Sequence, residues 1–277
     1  MKTLNILFAA MAAIVVMSCN KDANVTERKL PGHCEPISFK VEGVNVDLST
    51  KVTPVTDLAS FNVMASTGAV AYETYAWTVV ATKSGDSYIT NKYWPSIDPS
   101  YHFYAANTSL SFMSNGATVT VDSSEDIVCA YKSSPQYGVP TLVNFRHILT
   151  RIGTATISIP DGYSIADASI GIKKIRTSGT YNLRTKGWTG TNEIQMQPVQ
   201  EGSNDLYFIP GQYDVSVTFT LTKGDFTGTY TSVTNVDFQP EKINNLEINI
   251  VKDPAVLVSF SVTVIDWEAK SVPVTLT

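Results

Sequence analysis

Two consecutive β-sandwiches are the architecture that this chain of 277 residues predicts. Three observations carry that expectation. Short runs of alternating apolar and polar residues recur along the sequence, separated by turns that hold Gly or Pro. Only 16% of residues are charged against 43% hydrophobic, with Thr and Ser on the solvent side of the runs, a balance that suits sheets with one wet face. The pattern changes period once in mid-chain, between Val139 and Ile159, as expected where one unit hands over to the next.

The first 18 residues read as an export signal. Lys2 supplies the positive end, Ile6 to Met17 the apolar stretch, and Ser18 the small residue before a cut. That stretch is too short to span a bilayer as a mature helix. Val16-Met17-Ser18-Cys19 resembles a bacterial lipobox, which makes Cys19 the expected site of lipidation and the membrane anchor. Asn20-Lys21-Asp22 is similar to the tag that sends lipoproteins of Bacteroidetes to the outer face of the outer membrane. Residues 19–34 then read as a polar tether. Of three cysteines, Cys34 and Cys129 remain after lipidation, and the sequence leaves open whether they are bonded or are two buried thiols.

Strand-like runs follow at Ile37 to Val41, Ser60 to Ala65, Tyr75 to Thr82 and Ser87 to Thr90. Trp77 to Val80 and Val63-Met64 have the aromatic and β-branched bias of buried strands. Pro95 ends the run of Lys92 to Trp94, because it lacks a ladder donor. Tyr101, Phe103 and Ala105 share one face of the next run, and Asp126 to Ala130 forms another. Leu142, Phe145, Ile148, Leu149 and Ile152 then fall at a spacing closer to a helical face. A short helical or irregular connector is therefore expected before the alternation of Ala155, Ile157 and Ile159.

The second half is more regular. Ile170, Ile172 and Ile175 precede Leu206 to Ile209 and a turn at Pro210-Gly211. Tyr213, Val215, Val217, Phe219 and Leu221 alternate with polar residues over a long strand. Lys223-Gly224-Asp225 returns it as a hairpin into Phe226 to Phe238. Strands are also expected at Leu246 to Ile250 and Val258 to Val264. Val272, Val274 and Leu276 make a last one, whose Pro273 belongs at an edge.

The chemistry that the sequence excludes is broad. A net charge of −5 and a pI near 5.2 argue against nucleic acid as a partner. His33, His102 and His147 are the three histidines, and no metal-ligand spacing, nucleophile elbow or carboxylate-pair motif accompanies them. No catalytic residue, cofactor or metal site is expected, and His147 reads as a packing residue.

Several stretches in order resemble the fimbrillin family of Bacteroidetes: the lipobox, Tyr93-Trp94-Pro95, Tyr101 to Ala105, Asp126 to Ala130 and Leu142-x-x-Phe145-x-His147-x-Leu149. Gly179-Thr180-Tyr181 with Gly187-Trp188-Thr189, Tyr207 to Pro210, and Val262 to Trp267 complete the set. The resemblance implies an all-β chain of two tandem transthyretin-like β-sandwich domains after a lipoprotein signal peptide. The expected division is 1–18 signal peptide, 19–34 tether, 35–152 first domain and 153–277 second domain. It further implies a non-enzymatic stalk, anchor or tip subunit of a type V-like fimbria on the outer membrane, serving adhesion. Its partners would be other subunits or further copies of itself, with a host or bacterial surface ligand beyond them.

Assembly in that family runs by strand donation, in which proteolysis opens a groove and another subunit's terminal strand fills it. Arg28 is the sole arginine before Arg146 and so the expected processing site, although Cys19 to Arg28 contains no strand. Val272, Val274 and Leu276 are the expected donor residues. The alternative is a surface glycan-binding lipoprotein that stacks sugars on Tyr93, Trp94 and Tyr101.

Overall fold

The alternation in the sequence becomes eighteen strands in the computed structural model, which describes residues 35–42, 58–69, 72–94, 101–122, 125–253 and 255–266. The earlier strands are β1 (Pro36–Glu42), β2 (Ser60–Thr67), β3 (Thr74–Ser84), β4 (Ser87–Tyr93), β5 (Tyr101–Ala106), β6 (Ser111–Met113), β7 (Gly116–Val121), β8 (Val128–Ser133), β9 (Thr141–Asn144) and β10 (Arg146–His147). After them come β11 (Thr150–Ser158), β12 (Ser164–Asn182), β13 (Gly187–Val199), β14 (Gly202–Phe208), β15 (Gly211–Lys223), β16 (Phe226–Phe238), β17 (Lys242–Asp253) and β18 (Ala255–Asp266). The chain is all-β, with no helix among the described residues.

Eight of the earlier strands form one sheet in the order β10-β8-β5-β2-β3-β4-β1-β9. Their inward residues build an aromatic core around Phe39, Phe61, Phe103, Trp94 and Phe145. Phe39 on β1 meets Phe61 on β2 and Phe103 on β5 edge to face, at 6.0 and 5.2 Å between ring centres. In the sheet order β3 and β4 separate β1 from β2, so the sheet must curl to bring Phe39 onto Phe61 and Phe103.

The later strands use two sheets instead. One has the order β14-β11-β17-β18, the other β16-β15-β12-β7-β6, with β13 paired to β12 as well. Ile152, Leu246, Ile248 and Phe208 of the first sheet pack on Ile170, Ile172, Val215, Val217 and Phe219 of the second. All five alternate apolar residues from Tyr213 to Leu221 are buried, as their period of two requires. The hairpin between β15 and β16 turns on two residues, with Gly224 at φ 57° supplying the left-handed conformation.

β12 is shared between neighbours. Residues from Ser164 to Lys173 pair with β15, and those from Gly179 to Asn182 pair with β7. Lys174 between the two sets has a φ of 54°, the irregularity that lets one strand change partners. The hairpin of β6 and β7 thus joins the sheet of the later strands. A third apolar cluster results, in which Met64, Tyr104, Val119 and Leu149 pack with Leu183 and Ile209.

Where a connector with helical spacing was expected, β9, β10 and the start of β11 run extended. Thr141, Val143, Phe145 and His147 point inward, while Leu142 is 37% exposed. The period is two, and the apolar Leu142 masked it by sitting on the wet face while polar Thr141 and His147 sit on the buried one. Thr150, Arg151 and Ile152 already pair with Phe208, Tyr207 and Leu206, so the change of partners comes ahead of Thr150. We keep the division of the chain into 35–152 and 153–277 as a proposal, shifted at its boundary by those pairings.

Candidate functional site

β1 lies between two strands far from it in sequence. Antiparallel pairing joins it to β4, from Pro36 opposite Tyr93 to Phe39 opposite Tyr88. Parallel pairing joins it to β9, from Phe39 opposite Thr141 to Glu42 opposite Asn144. The Thr90 hydroxyl donates to the Ile37 carbonyl at 2.8 Å, and the Trp94 amide donates to the Glu35 carbonyl at 2.9 Å. Ile37 and Phe39 are fully buried and Val41 packs beside them, while Lys40 faces solvent. Burying each of the two larger side chains is worth roughly 1.5–3 kcal/mol. Withdrawing β1 would therefore leave a narrow apolar slot with free ladder groups along both sides.

The residues singled out in the sequence fall unevenly on this site. Cys19, Cys34, Arg28, Val272, Val274 and Leu276 lie outside the described residues. Arg28 precedes β1, so a cut there leaves the strand attached to the body it closes. β18 borders the last stretch of the chain and pairs with β17 alone among the described strands, which makes it a sheet edge. Cys129 is buried, and burial pushes its thiol pKa up.

The expected sugar platform takes a different form. Trp94 is 1% exposed and Tyr101 7%, and Trp94 packs at 5.9 Å from both Tyr101 and Phe103. Only Tyr93 of the three is partly open. These rings face the first core, where no sugar can stack without unpacking it. His147 is buried as a packing residue, with its Nδ1 at 2.8 Å from the Asp126 carboxylate.

A buried ionic cluster went unnoticed in the sequence. The Glu73 carboxylate accepts from the Ser66 hydroxyl at 2.5 Å and from the Tyr104 hydroxyl at 2.8 and 2.9 Å. Arg184 reaches it at 2.6 Å and His102 Nε2 lies 3.9 Å away. Burial first, and then the bond to Glu73, holds the Tyr104 hydroxyl protonated far above its usual range. Gly116 makes the approach possible, since a Cβ there would lie 3.2 Å from the Arg184 Cβ and 3.3 Å from the Tyr104 hydroxyl. The cluster ties β2, β5 and the start of β3 to the turn between β12 and β13. No motif could have announced it, because its members come from stretches far apart in sequence, around Ser66, Glu73, His102 with Tyr104, and Arg184. It converges through folding and offers no open face for catalysis.

Among the described residues no three His, Cys, Asp or Glu side chains gather as metal ligands. A family model described as fimbrillin-like matches residues 50–267. No curated protein matches the chain. Among solved structures, a fimbrilin of Porphyromonas gingivalis superposes with a TM-score of 0.54 at 10% identity, over 84% of this chain and 98% of that one. Two proposed cell adhesion proteins, from Bacteroides uniformis and Bacteroides ovatus, each score 0.51. They share 17% and 14% identity with the chain, cover 84% and 86% of it, and are each covered to 99%. At such identities the likeness speaks for the fold.

Proposed function

The chain belongs to the fimbrillin-like family, and from that premise we propose that it is a lipid-anchored surface subunit at one end of a type V-like fimbria. Family membership makes it a non-enzymatic structural subunit of a surface fimbrium. The finer role, in adhesion by strand donation from the outer membrane, is our reading.

One observation carries it. Ile37, Phe39 and Val41 fill the first core from alternate positions of β1, and Val272, Val274 and Leu276 repeat that spacing at the other end of the sequence. A strand with the second pattern suits a slot shaped by the first, with main-chain pairing supplying affinity and the inward side chains the register. Processing at Arg28 would shed the lipid and leave β1 in place. Such a subunit donates a strand but keeps its own slot filled, which is the situation of an anchor or tip. A glycan-binding role at Tyr93, Trp94 and Tyr101 has less support, since two of the three rings are inside the core.

The test treats the purified protein with an arginine-specific protease and follows mass and oligomer size. Cleavage after Arg28 is expected to leave monomers. Deletion through Glu42 is expected to give multimers, and those should vanish when residues 271–277 are also removed. Multimers after the Arg28 cut alone would make this a stalk subunit. Multimers without residues 271–277 would rule out that strand as donor. Loss of acyl labelling in Cys19→Ala checks the anchor.

A further inference from the structure

A cleft of about 520 Å³ lies where the earlier and later strands meet. Its size falls among ordinary small-ligand sites. Tyr181 and Trp188 pair along it at 4.9 Å between ring centres, inclined by 53°, and both are part exposed. They face each other across the register of β12 and β13, Tyr181 opposite Trp188, so the sheet itself holds the pair. Arg146 from β10 and Glu241 also line it, 3.5 Å apart and both open to solvent. Lys186, exposed in the turn between β12 and β13, is a second cation on the lining.

The chemistry of this lining is specific. An aromatic pair that is partly open offers ring surface to the axial C–H groups of a pyranose ring. Arg146, Lys186 and Glu241 sum to one positive charge (two cations less one carboxylate). That balance suits a single carboxylate, whereas a phosphate dianion would meet Glu241 with less compensation. His147 in the lining is engaged by Asp126. We propose that this cleft binds the terminal acidic sugar of a glycan, its ring against Trp188 and Tyr181 and its carboxylate toward Lys186 and Arg146. The Tyr181 hydroxyl, pushed up to about 12 chiefly by burial, stays a hydrogen-bond donor to the sugar at neutral pH. The site goes beyond fimbrial assembly, because no residue of β1 lines it and no second subunit is needed to form it.

The experiment uses the purified full-length chain as a monomer, with methyl β-glucuronide and methyl β-glucoside as probes, read by saturation-transfer NMR and tryptophan fluorescence. The glucuronide is expected to bind about tenfold tighter than the glucoside, the effect of one charge-assisted contact. Lys186→Asn should bring the two within about twofold of each other, one ionic contact having been removed. Asn tolerates the left-handed φ of 56° at that position, so the turn is kept. Trp188→Phe should weaken both sugars alike by a smaller factor, and Trp188→Ala should abolish both. Equal binding of the two probes, indifference to Lys186→Asn, or no binding of either would overturn the proposal. Since multimer formation is not read, these outcomes leave the assembly reading to its own test.

Discussion

The first core is aromatic and is shut by β1, a strand held between β4 and β9 from distant parts of the chain. The second is mainly aliphatic, and two of its edge strands, β16 and β18, fold back on their immediate predecessors β15 and β17. The difference decides which core can be opened. A hairpin strand that leaves stays tethered next to its partner and returns quickly, because closing a short loop costs little entropy. β1 has no such neighbour. Its place is secured by Ile37, Phe39 and Val41 and by pairing, so once it is removed a strand of the same pattern can take the slot.

Deleting residues 35–42 together with 271–277, so that no donated strand refills the slot, should give the largest effect that separates the cores. Two buried side chains and two ladders are lost, enough to consume most of the roughly 5–15 kcal/mol that a domain has. Calorimetry should show the transition of the first core lost and that of the second kept. A peptide of sequence PISFKVE added in trans should restore it. If one transition covers the whole molecule in both forms, the cores do not behave separately.

Phe219→Ala is the counterpart in the second core and should cost about 3–5 kcal/mol by leaving a cavity. Denaturant unfolding should show that loss with no rescue by any added strand peptide. Rescue would mean that β15 and its neighbours are as replaceable as β1.

Glu73→Gln probes the contact between the cores. Arg184 would keep its burial and lose its counter-charge, a loss of about 3 kcal/mol or more for a broken buried pair. The two calorimetric transitions should move apart, since the cluster couples them. Coincident shifts of both would place the cluster inside a single cooperative unit.

The smallest effect is on pH dependence. Tyr181 titrates near 10 when unfolded and is pushed up to about 12 in the fold, by burial first. The unfolded chain therefore releases this proton first, and stability present below pH 10 drains away as pH rises toward 12. Melting curves across that window should fall less steeply for Tyr181→Phe. An unchanged slope would show that the ring is as well hydrated folded as unfolded.

How much of this was legible varies with the distance over which each feature is encoded. Tyr213 to Leu221 announced β15 by alternation alone, and Lys223-Gly224-Asp225 announced its turn, because side chains two apart share a face whatever surrounds them. Leu142 misled the period of the connector, because its exposure depends on what covers Thr141 and His147 instead. The rings of Trp94 and Tyr101 were recognised as a group, yet their facing inward depends on how far the sheet curls.

By itself, then, the sequence determined an all-β chain, most of its strands from Ile37 onward though not β6, β7, β9 or β10, and the family resemblance carried by motifs in order. Those are local properties, written in alternation, turn residues and short contiguous patterns. Tertiary structure alone decided that β1 lies beside β9, that β7 crosses to β12, and that Glu73 meets Arg184. It also brought Arg146 and Glu241 into one cleft with Tyr181 and Trp188. Pairings of that kind bridge many residues of sequence and form only when the whole set of buried faces is satisfied together, so no single stretch contains them.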